Sequence, residues 1–356
     1  MNKFLHRARN LKNDEFYTLY EDIESELQHY DFADRIVYCN CDNLYKSQFF
    51  RYFVVNFNRL KLKKLICTCY ADFEKADIQL SFFEDSETIV RSEQPYKIEI
   101  TEVRSPIVSV LNIYSLLKQT DGKVRKLKEN GDFRSEECIR LMKKSDVIVS
   151  NPPFSLFREY LELIQEYHKQ FLIVGNLNEV ICMNVFPYFR EEKVHFGYHA
   201  VKKFLTPEGN LQSFGNIYWY TNMQGKSRRD CLIPEMAYIP EHYQPLDNFP
   251  AVNINKLSEI PKDYTEMMAV PITYLLKHNP DLFEILGTTR EKNGFRCKWY
   301  EKPVLHKPDG TKTNGGKCNT NGTLLSTEKP EKTYYTAKNM DGFLLSVYGR
   351  VLIRRK

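Results

Sequence analysis

The sequence predicts an α/β fold in which a mostly parallel sheet is flanked by helices. Short apolar segments rich in β-branched and aromatic residues recur through the first two thirds of the chain, as buried strands do. Amphipathic segments separate them, and a strand–helix–strand order favours right-handed crossovers between parallel strands. With 356 residues and a hydrophobic fraction of 42%, the chain is long enough for a large core and a smaller second domain.

The first half of the sheet is predicted from two strands and the helix between them. A helix at residues 20–30 precedes residues 35–41, which are apolar almost throughout. Residues 47–60 have apolar side chains at the spacing of one buried helical face, and residues 64–70 form the second strand. Residues 72–119 break this alternation with short β-like pieces and prolines, which indicates an insertion that supplies at least one further strand.

The second half of the sheet continues the same alternation. Ser135 is a predicted N-cap, because its hydroxyl can accept from a backbone N–H in the first turn of a helix. The remaining elements are a helix to residue 144, strands at 146–150, 170–175 and 215–221, and helices at 155–168 and 179–190.

The composition changes at about residue 224. Prolines recur after this point, and Gly, Asn and Thr dominate residues 311–323. We therefore expect one domain at residues 1–223, which carries the insertion, and a second region at residues 224–356. Residues 307–332 are polar and without periodicity, which predicts a long flexible loop.

The charge distribution permits a polyanionic partner for the second region. The net charge is only +5, but eight Lys or Arg lie between Arg290 and Lys317 against three acidic residues. A solvated basic face is the alternative interpretation of such a run.

Cysteine usage and the N-terminus indicate a reducing compartment. The nine cysteines are an odd number and none has a zinc-ligand spacing, so we expect no disulfide and no metal site. No apolar run approaches the length of a membrane span, and residues 1–7 lack a signal-peptide core. These observations predict a cytoplasmic protein without a membrane partner.

The third predicted strand ends in a rigid turn, Asn151-Pro152-Pro153-Phe154. The prolines fix two φ angles and remove two backbone donors, so the turn presents the Asn151 side-chain oxygen and two carbonyls as acceptors. Phe154 adds a flat apolar surface. Such a site fits a planar group with an –NH2, because accepting both N–H bonds localises the nitrogen lone pair. The turn therefore predicts amine methylation, and an ordinary strand-end turn is the alternative.

The same four residues resemble the catalytic motif of S-adenosylmethionine-dependent amino-methyltransferases that act on adenine. The resemblance is to the EcoRI-type adenine-specific DNA methyltransferases, and it thins at residues 73–130 and 202–247. It implies a Rossmann-like class I methyltransferase domain followed by a C-terminal DNA target-recognition region. The further segments that carry it are 12–18, 37–42, 131–135, 151–160, 253–264 and 270–273.

The resemblance also implies roles for individual residues. Asn151 and Pro152 bind the target amine in the turn completed by Pro153, and Phe154 stacks on the flipped base. Asp132 accepts from the adenine amino group of the cofactor. The other cofactor-binding residues it implies are Phe16, Tyr17 and Thr18 over the methionine part, Cys39, Asn40, Cys41 and Asp42 in the main loop, and Phe133 beside Asp132.

Two features depart from the family pattern. The loop after the first strand has Asn40, Asp42 and Asn43 where glycines are usual, although Asn and Asp tolerate the left-handed conformation that such a turn needs. The second strand ends at Tyr70 without an acidic residue to hold the ribose hydroxyls, and Asp72 follows two residues later.

The implied function is site-specific methylation of adenine N6 in duplex DNA, with S-adenosylmethionine as the cofactor and GAATTC as the suggested target. The target base must be flipped out of the duplex to reach the pocket. A restriction–modification system implies a cognate restriction endonuclease acting on the same site, and we expect a monomer in a prokaryotic or phage setting. The candidates for DNA contacts are Arg228, Arg229, Arg290, Arg296 and Lys298.

Two alternative functions are open at this stage. Asn-Pro-Pro followed by an aromatic residue also occurs in enzymes that methylate guanine in ribosomal RNA or a glutamine side chain in proteins. A non-catalytic DNA-binding module would keep only the fold, and it predicts no cofactor binding and a dispensable Asn151. The basic C-terminal region and the opening Asp14-Glu15-Phe16-Tyr17 favour DNA, and the intact Asn-Pro-Pro-Phe turn favours an enzyme.

Overall fold

The computed structural model describes residues 16–41, 47–70, 95–104, 113–206, 209–226, 230–291 and 294–356. The chain forms two compact units, the first from residues 1–176 and 194–228 and the second from residues 177–193 and 229–356. Within the described ranges, no helix is long and apolar enough to cross a membrane.

The first unit contains the predicted alternation of strands and helices. The strands predicted at 35–41, 64–70, 146–150, 170–175 and 215–221 are confirmed as β2, β3, β6, β7 and β11 in the following assignment. The strands are β1 (Tyr17–Thr18), β2 (Ile36–Cys39), β3 (Lys64–Cys69), β4 (Tyr96–Ile100), β5 (Lys123–Lys126), β6 (Val147–Ser150), β7 (Gln170–Asn176), β8 (His195–Ala200), β9 (Lys203–Leu205), β10 (Leu211–Ser213) and β11 (Ile217–Thr221). The helices are α1 (Tyr20–Leu27), α2 (Gln48–Val55), α3 (Ile113–Leu117), α4 (Glu136–Lys144) and α5 (Phe157–Glu166).

Eight of these strands form one sheet, in the order β5-β4-β3-β2-β6-β7-β11-β8. The pairs β2–β3, β2–β6 and β6–β7 are parallel. The pairs β3–β4, β4–β5, β7–β11 and β8–β11 are antiparallel. The sheet is therefore mixed, and the expectation of a mostly parallel sheet is wrong. Helices α2 and α5 connect the parallel neighbours β2–β3 and β6–β7, and α4 precedes β6, which pairs with β2. Strands β4 and β5 on one side and β11 and β8 on the other are added antiparallel.

Two of the helices beside the parallel strands, α2 and α4, begin at serine caps. Ser47 begins α2, and its hydroxyl accepts from the backbone N–H of Phe49 at 3.2 Å. Phe50 and Phe53 of this helix are fully buried, as the apolar spacing predicts. Ser135 begins α4 and accepts from the backbone N–H of Cys138 at 3.3 Å, so the predicted N-cap is confirmed.

A buried carboxylate joins α1 to strand β8. Glu26 is fully buried and accepts from the backbone N–H groups of Tyr198 and His199, each at 2.9 Å. It also accepts from the Tyr30 hydroxyl at 2.8 Å. Gly197 leaves the space for this carboxylate, because a Cβ at that position would overlap it. The edge of the sheet is thus fixed to the helix that follows β1.

A separate three-stranded sheet, in the order β1-β9-β10, holds the start of the described chain. Tyr17 pairs with Leu205 and Thr18 pairs with Phe204 in antiparallel register. β10 pairs with the other side of β9, so β9 is the central strand. The aromatic side chains of this sheet pack beside the Asn-Pro-Pro-Phe turn, as described below.

The second unit contains one described α-helix and two sheets. Its elements are α6 (Phe186–Arg190), β12 (Val252–Asn253), β13 (Met268–Pro271), β14 (Phe283–Thr288), β15 (Val304–His306), β16 (Lys312–Asn314), β17 (Thr323–Ser326), β18 (Tyr334–Thr336), β19 (Phe343–Ser346) and β20 (Arg350–Arg355). The sheets have the orders β12-β13-β20-β14 and β16-β15-β18-β19-β17. Residues 177–193, which we expected in the first domain, group with this unit, where Arg190 of α6 pairs with Glu291 at 3.1 Å.

The expectation of a long flexible loop at residues 307–332 is wrong. This segment contains β16 and β17 of the five-stranded sheet and a 3-10 turn at Gly316–Asn319. The polar residues that suggested a loop are hydrogen-bonding partners inside the fold. Asn319 forms two hydrogen bonds with the backbone of Tyr300, at 2.9 and 2.8 Å. Asn248 accepts from the backbone N–H of Thr323 at 2.9 Å, so the start of β17 is buried and paired.

Candidate active site

The Asn-Pro-Pro-Phe turn follows the carboxyl end of β6, next to the point where the strand order of the sheet reverses. β2 has β3 on one side and β6 on the other, so the strand order reverses between β2 and β6. Open α/β sheets bind ligands at the carboxyl ends of strands beside such a reversal. The two strand ends are joined directly, because the fully buried Ser150 hydroxyl donates to the carbonyl of Asn40. Asn151 and Asn40 are therefore neighbours at this edge.

The Asn151 side chain has a hydrogen-bond partner at its nitrogen but none at its oxygen among the described residues. Its Nδ2 donates to the backbone carbonyl of Phe16. Its Oδ1 is buried and has no hydrogen-bond partner among the described residues. Pro152 is buried next to it. A buried acceptor without a partner costs about 1–3 kcal/mol, so this oxygen is an expected binding point for a donor.

Phe154 belongs to a cluster of four phenylalanines. Its ring is stacked on Phe16, with centroids 5.9 Å apart and an interplanar angle of 26°. Phe204 and Phe214 meet it edge to face at 6.0 and 6.1 Å. Phe154 is half-buried, and one of its faces is covered by Phe16.

The residues expected over the methionine part of the cofactor lie at β1. Phe16 and Thr18 are buried, and Tyr17 is half-buried. The Thr18 hydroxyl has no hydrogen-bond partner among the described residues. Strand β1 thus places one uncompensated polar atom close to the Asn151–Phe16 contact.

β2 is followed by a non-glycine residue in the left-handed conformation. Cys39 and Asn40 are fully buried, and Cys41 has a φ of 62°. The left-handed conformation that we expected an Asn or Asp to supply is thus adopted by Cys41, whose thiol donates to Asn40 Oδ1 at 3.2 Å. Asn40 Nδ2 is buried and without a partner within the described part of the chain. Asp42 lies outside the described residues.

The loop at residues 130–134 is positioned by one close backbone contact. Gly131 has a φ of 79°, and a Cβ there would lie 2.5 Å from the Cys69 carbonyl oxygen at the end of β3. Only glycine adopts this conformation and fits this space readily. Asp132 follows at once, and its backbone N–H donates to the Asn130 side chain at 3.0 Å. This contact brings Asp132 to the end of β3, beside β2.

The Asp132 carboxylate is held by Arg134. Oδ1 accepts from Arg134 Nε at 2.9 Å, and Oδ2 accepts from Nη2 at 2.7 Å. These hydrogen bonds hold the pKa of the Asp132 carboxyl below its usual range, so the group is charged at neutral pH. Arg134 also pairs with Glu159 of α5 at 2.9 Å, and Phe133 packs edge to face on Tyr160 at 5.0 Å. The loop is therefore fixed to the helix that follows the Asn-Pro-Pro-Phe turn.

Three residues of this site had no role in the sequence-based prediction. Arg134 lies in one of the segments that carry the family resemblance, but its bidentate contact with Asp132 depends on a turn that the sequence does not specify. Phe204 and Phe214 lie in the stretch where the family resemblance thins. Their signal, two aromatic residues flanking a short polar loop, is weak without the strand pairing that brings them to Phe154.

The basic residues predicted to contact DNA differ in exposure. Arg290 is exposed. Arg296 Nη2 donates to the Thr289 carbonyl at 2.6 Å, its guanidinium lies over the Phe249 ring at 4.5 Å, and burial lowers its pKa. Lys298 pairs with Asp247 at 3.0 Å. Arg228 and Arg229 lie outside the described residues.

Comparison with known proteins identifies the family. The profile of the family described as "Adenine-specific methyltransferase EcoRI" matches residues 4–356. The chain belongs to this family. Family membership confirms the class that the resemblance implied, an adenine-specific methyltransferase of the type II restriction–modification kind.

Three bacterial relatives support the assignment to the EcoRI methylase family. The chain is 39% identical over 307 residues to Type II methyltransferase M.EcoRI of Escherichia coli, a match that covers 80% of this chain and 89% of the relative. It is 32% identical to M.MgeORF184P of Mycoplasma genitalium and to M.MpnI of Mycoplasma pneumoniae, with 79% and 80% of this chain and 84% and 85% of those proteins covered. No solved structure matches the chain significantly.

Proposed function

We propose that this protein transfers the methyl group of S-adenosylmethionine to N6 of an adenine flipped out of duplex DNA. The observation that carries the proposal is the buried Asn151 Oδ1, which has no partner among the described residues and lies at the ligand-binding edge of the sheet. The target amine supplies the donor that this oxygen lacks. The family, adenine-specific methyltransferases, agrees with this chemistry.

The residues at the ends of β1, β2 and β3 fit S-adenosylmethionine as the cofactor. Thr18 Oγ1 and Asn40 Nδ2 are buried polar atoms without partners among the described residues, as expected where a polar ligand completes the site. The Asp132 carboxylate is charged and keeps acceptor capacity beyond its contacts with Arg134. When bound, S-adenosylmethionine supplies an electrophilic methyl group. The parallel strands β3-β2-β6-β7 act here as the Rossmann-like part of the sheet.

Asn151 and Pro152 activate the amine by accepting hydrogen bonds from its two N–H groups. The lone pair of an adenine amino group is delocalised into the ring, so the amine is a poor nucleophile. Two acceptors on one side, Asn151 Oδ1 and the Pro152 carbonyl, favour the tetrahedral nitrogen of the transition state and localise the lone pair. The proton becomes acidic only after the nitrogen is methylated, so the residues at this turn need not include a strong base.

Phe154 supplies the surface on which the flipped adenine stacks. Phe16 stacks on this ring from inside the protein, and Phe154 is only half-buried, so part of the ring is accessible to a base. Stacking on an aromatic ring contributes roughly 1–3 kcal/mol per base, and unstacking a base from the duplex costs a few kcal/mol. Phe154 therefore offsets part of the cost of flipping.

The second unit would bring the target sequence to this site. Arg290 is the best described candidate for a DNA contact, because it is exposed, whereas Arg296 and Lys298 have partners inside the fold. We propose GAATTC as the target and a cognate endonuclease as the second enzyme of the system, as the resemblance to the EcoRI-type enzymes implies. The bacterial relatives support a prokaryotic, cytoplasmic setting, and we propose that the protein acts as a monomer.

The direct test is methyl transfer with purified components. The protein is incubated with labelled S-adenosylmethionine and, separately, with duplex DNA, RNA and cell protein. The proposal expects label in DNA as N6-methyladenine. A duplex with GAATTC and a matched duplex with GATATC then test the target sequence. Label in RNA or protein with none in DNA would contradict the proposal.

A further inference from the structure

A main-chain carbonyl determines which end of the Asn151 side chain faces the substrate. The carboxamide has a donor end, Nδ2, and an acceptor end, Oδ1, and only the acceptor end can bind the hydrogens of an amine. Nδ2 donates to the Phe16 carbonyl. The opposite orientation would place two acceptors against each other and leave Nδ2 facing the amine. The Phe16 carbonyl therefore excludes the unproductive rotamer.

The position of this carbonyl is fixed by strand pairing and by packing. Tyr17 and Thr18 pair with Leu205 and Phe204 across β1 and β9. The Phe16 ring packs edge to face on Phe214 at 4.8 Å and stacks on Phe154 at 5.9 Å. The carbonyl that holds Asn151 and the ring that backs Phe154 thus belong to the same residue.

We propose that Phe16, held by the β1-β9-β10 sheet, is a positioning residue for methyl transfer, and that its main-chain carbonyl orients the Asn151 carboxamide so that Oδ1 meets the target amine. This inference rests on the proposed function. It adds a specific task for strands β9 and β10, which are far in sequence from the Asn-Pro-Pro-Phe turn. A protein with a misoriented Asn151 carboxamide should bind DNA and cofactor as before, but the rate of its chemical step should be lower.

The first experiment weakens the carbonyl without changing a side chain. Replacing Tyr17 by its α-hydroxy analogue converts the Phe16–Tyr17 peptide bond to an ester, whose carbonyl is a weaker acceptor. We expect kcat to fall about tenfold with KM for DNA and cofactor within about twofold, the pattern of an interaction that acts on the transition state. The control is the α-hydroxy analogue at Gln212, which alters a backbone bond of β10 in the same sheet.

The outcomes of this experiment separate orientation from sheet stability. An equal loss of kcat with both esters, or a kcat within twofold of the wild type with the Tyr17 ester, would overturn the inference. Either result leaves adenine methylation by the wild-type protein intact, so it does not bear on the proposed function. A wild-type protein that labels no adenine would instead overturn the proposed function itself.

The second experiment uses the pH profile of Asn151→Asp, whose kcat is compared with that of the wild type at each pH. At neutral pH one oxygen of the new carboxylate can accept from the amine. The other oxygen faces the Phe16 carbonyl, so two acceptors oppose each other there. Protonation restores a donor toward that carbonyl. We therefore expect the ratio of variant to wild-type kcat to rise by about tenfold or more as the pH falls through the raised pKa of the new carboxyl. A ratio that is flat or falls on acidification would contradict the orienting role.

Discussion

At the scale of single residues, the site is marked by buried polar atoms that the protein does not satisfy. Thr18 Oγ1, Asn40 Nδ2 and Asn151 Oδ1 have no partners among the described residues. Each is at or next to the end of a strand, and they are linked through the Ser150–Asn40 and Asn151–Phe16 hydrogen bonds. Leaving such atoms unpaired costs about 1–3 kcal/mol each, so a ligand that supplies partners to these three would offset that cost.

The sequence predicted the centre of this site better than its surroundings. Asn151 and Phe154 could be singled out because the two prolines between them remove two backbone donors and fix the turn. The contact of Phe16 with Asn151 could not, because it joins residues 135 positions apart through a two-residue strand. Arg134 was missed for a related reason, since its bond to Asp132 depends on the positive φ of Gly131.

Replacing Gly131 by Ala tests how Asp132 is placed. The new Cβ would lie 2.5 Å from the Cys69 carbonyl and would impose a φ of 79° on a non-glycine residue. We expect the free energy of unfolding to fall by about 1–3 kcal/mol and the affinity for S-adenosylmethionine to fall several-fold. Denaturant titration and calorimetry measure the two effects.

The matched control is Gly215→Ala, because a Cβ at Gly215 meets nothing within 4 Å. This variant should match the wild type in both measurements. A Gly131→Ala variant that binds the cofactor normally would show that the loop geometry is not needed for binding.

At the scale of elements, periodicity predicted the strands and residue type predicted the cap at Ser135. The pairing of the edge strands could not be predicted from either. Ser135 was identified as an N-cap, and it accepts from Cys138 as expected. Strand β4 pairs antiparallel with β3, and β5 pairs antiparallel with β4, which the periodicity of a single strand does not specify. The polar stretch that includes Asn319 reads as a loop, yet its amide groups bond the backbone of Tyr300 inside the five-stranded part of the second unit.

Replacing Glu26 by Gln tests the link between α1 and β8. The carboxylate accepts from two backbone N–H groups and a tyrosine hydroxyl in a fully buried position. An amide carries donors of its own, so part of this set would face another donor. We expect the free energy of unfolding to fall by about 2–4 kcal/mol. Glu24→Gln on the exposed face of α1 is the control and should change it by less than about 0.5 kcal/mol.

At the scale of the whole molecule, the chain divides into a unit that carries the candidate active site and a unit that carries the basic residues. The boundary at residues 228 and 229 follows the change in composition near residue 224, but residues 177–193 group with the second unit. A sequence read in order could not assign them, because their partners, such as Glu291, come about a hundred residues later.

Two arginines of the second unit should differ in function, one contributing to DNA affinity and the other to the stability of the fold. Arg290→Ala removes an exposed charge, so we expect weaker DNA binding, a salt slope smaller by about 1 and unchanged stability. Arg296→Ala removes the Thr289 hydrogen bond and the contact with Phe249, so we expect mainly a loss of about 2–4 kcal/mol in the free energy of unfolding. Fluorescence anisotropy across a salt series, with denaturant titration, separates the two. The reverse pattern would show that Arg296 is the DNA contact.

Mapping methylated adenine in the DNA of cells that express the protein tests the central claim most directly. The wild type should leave N6-methyladenine at one recurring sequence. Asn151→Ala should reduce it by roughly 10³-fold or more, because the acceptor for the amine is lost. Purified Asn151→Ala should still bind S-adenosylmethionine with nearly unchanged affinity, since Asn151 contacts the target amine rather than the cofactor. DNA without methylated adenine in wild-type cells, or wild-type levels with Asn151→Ala, would contradict the mechanism.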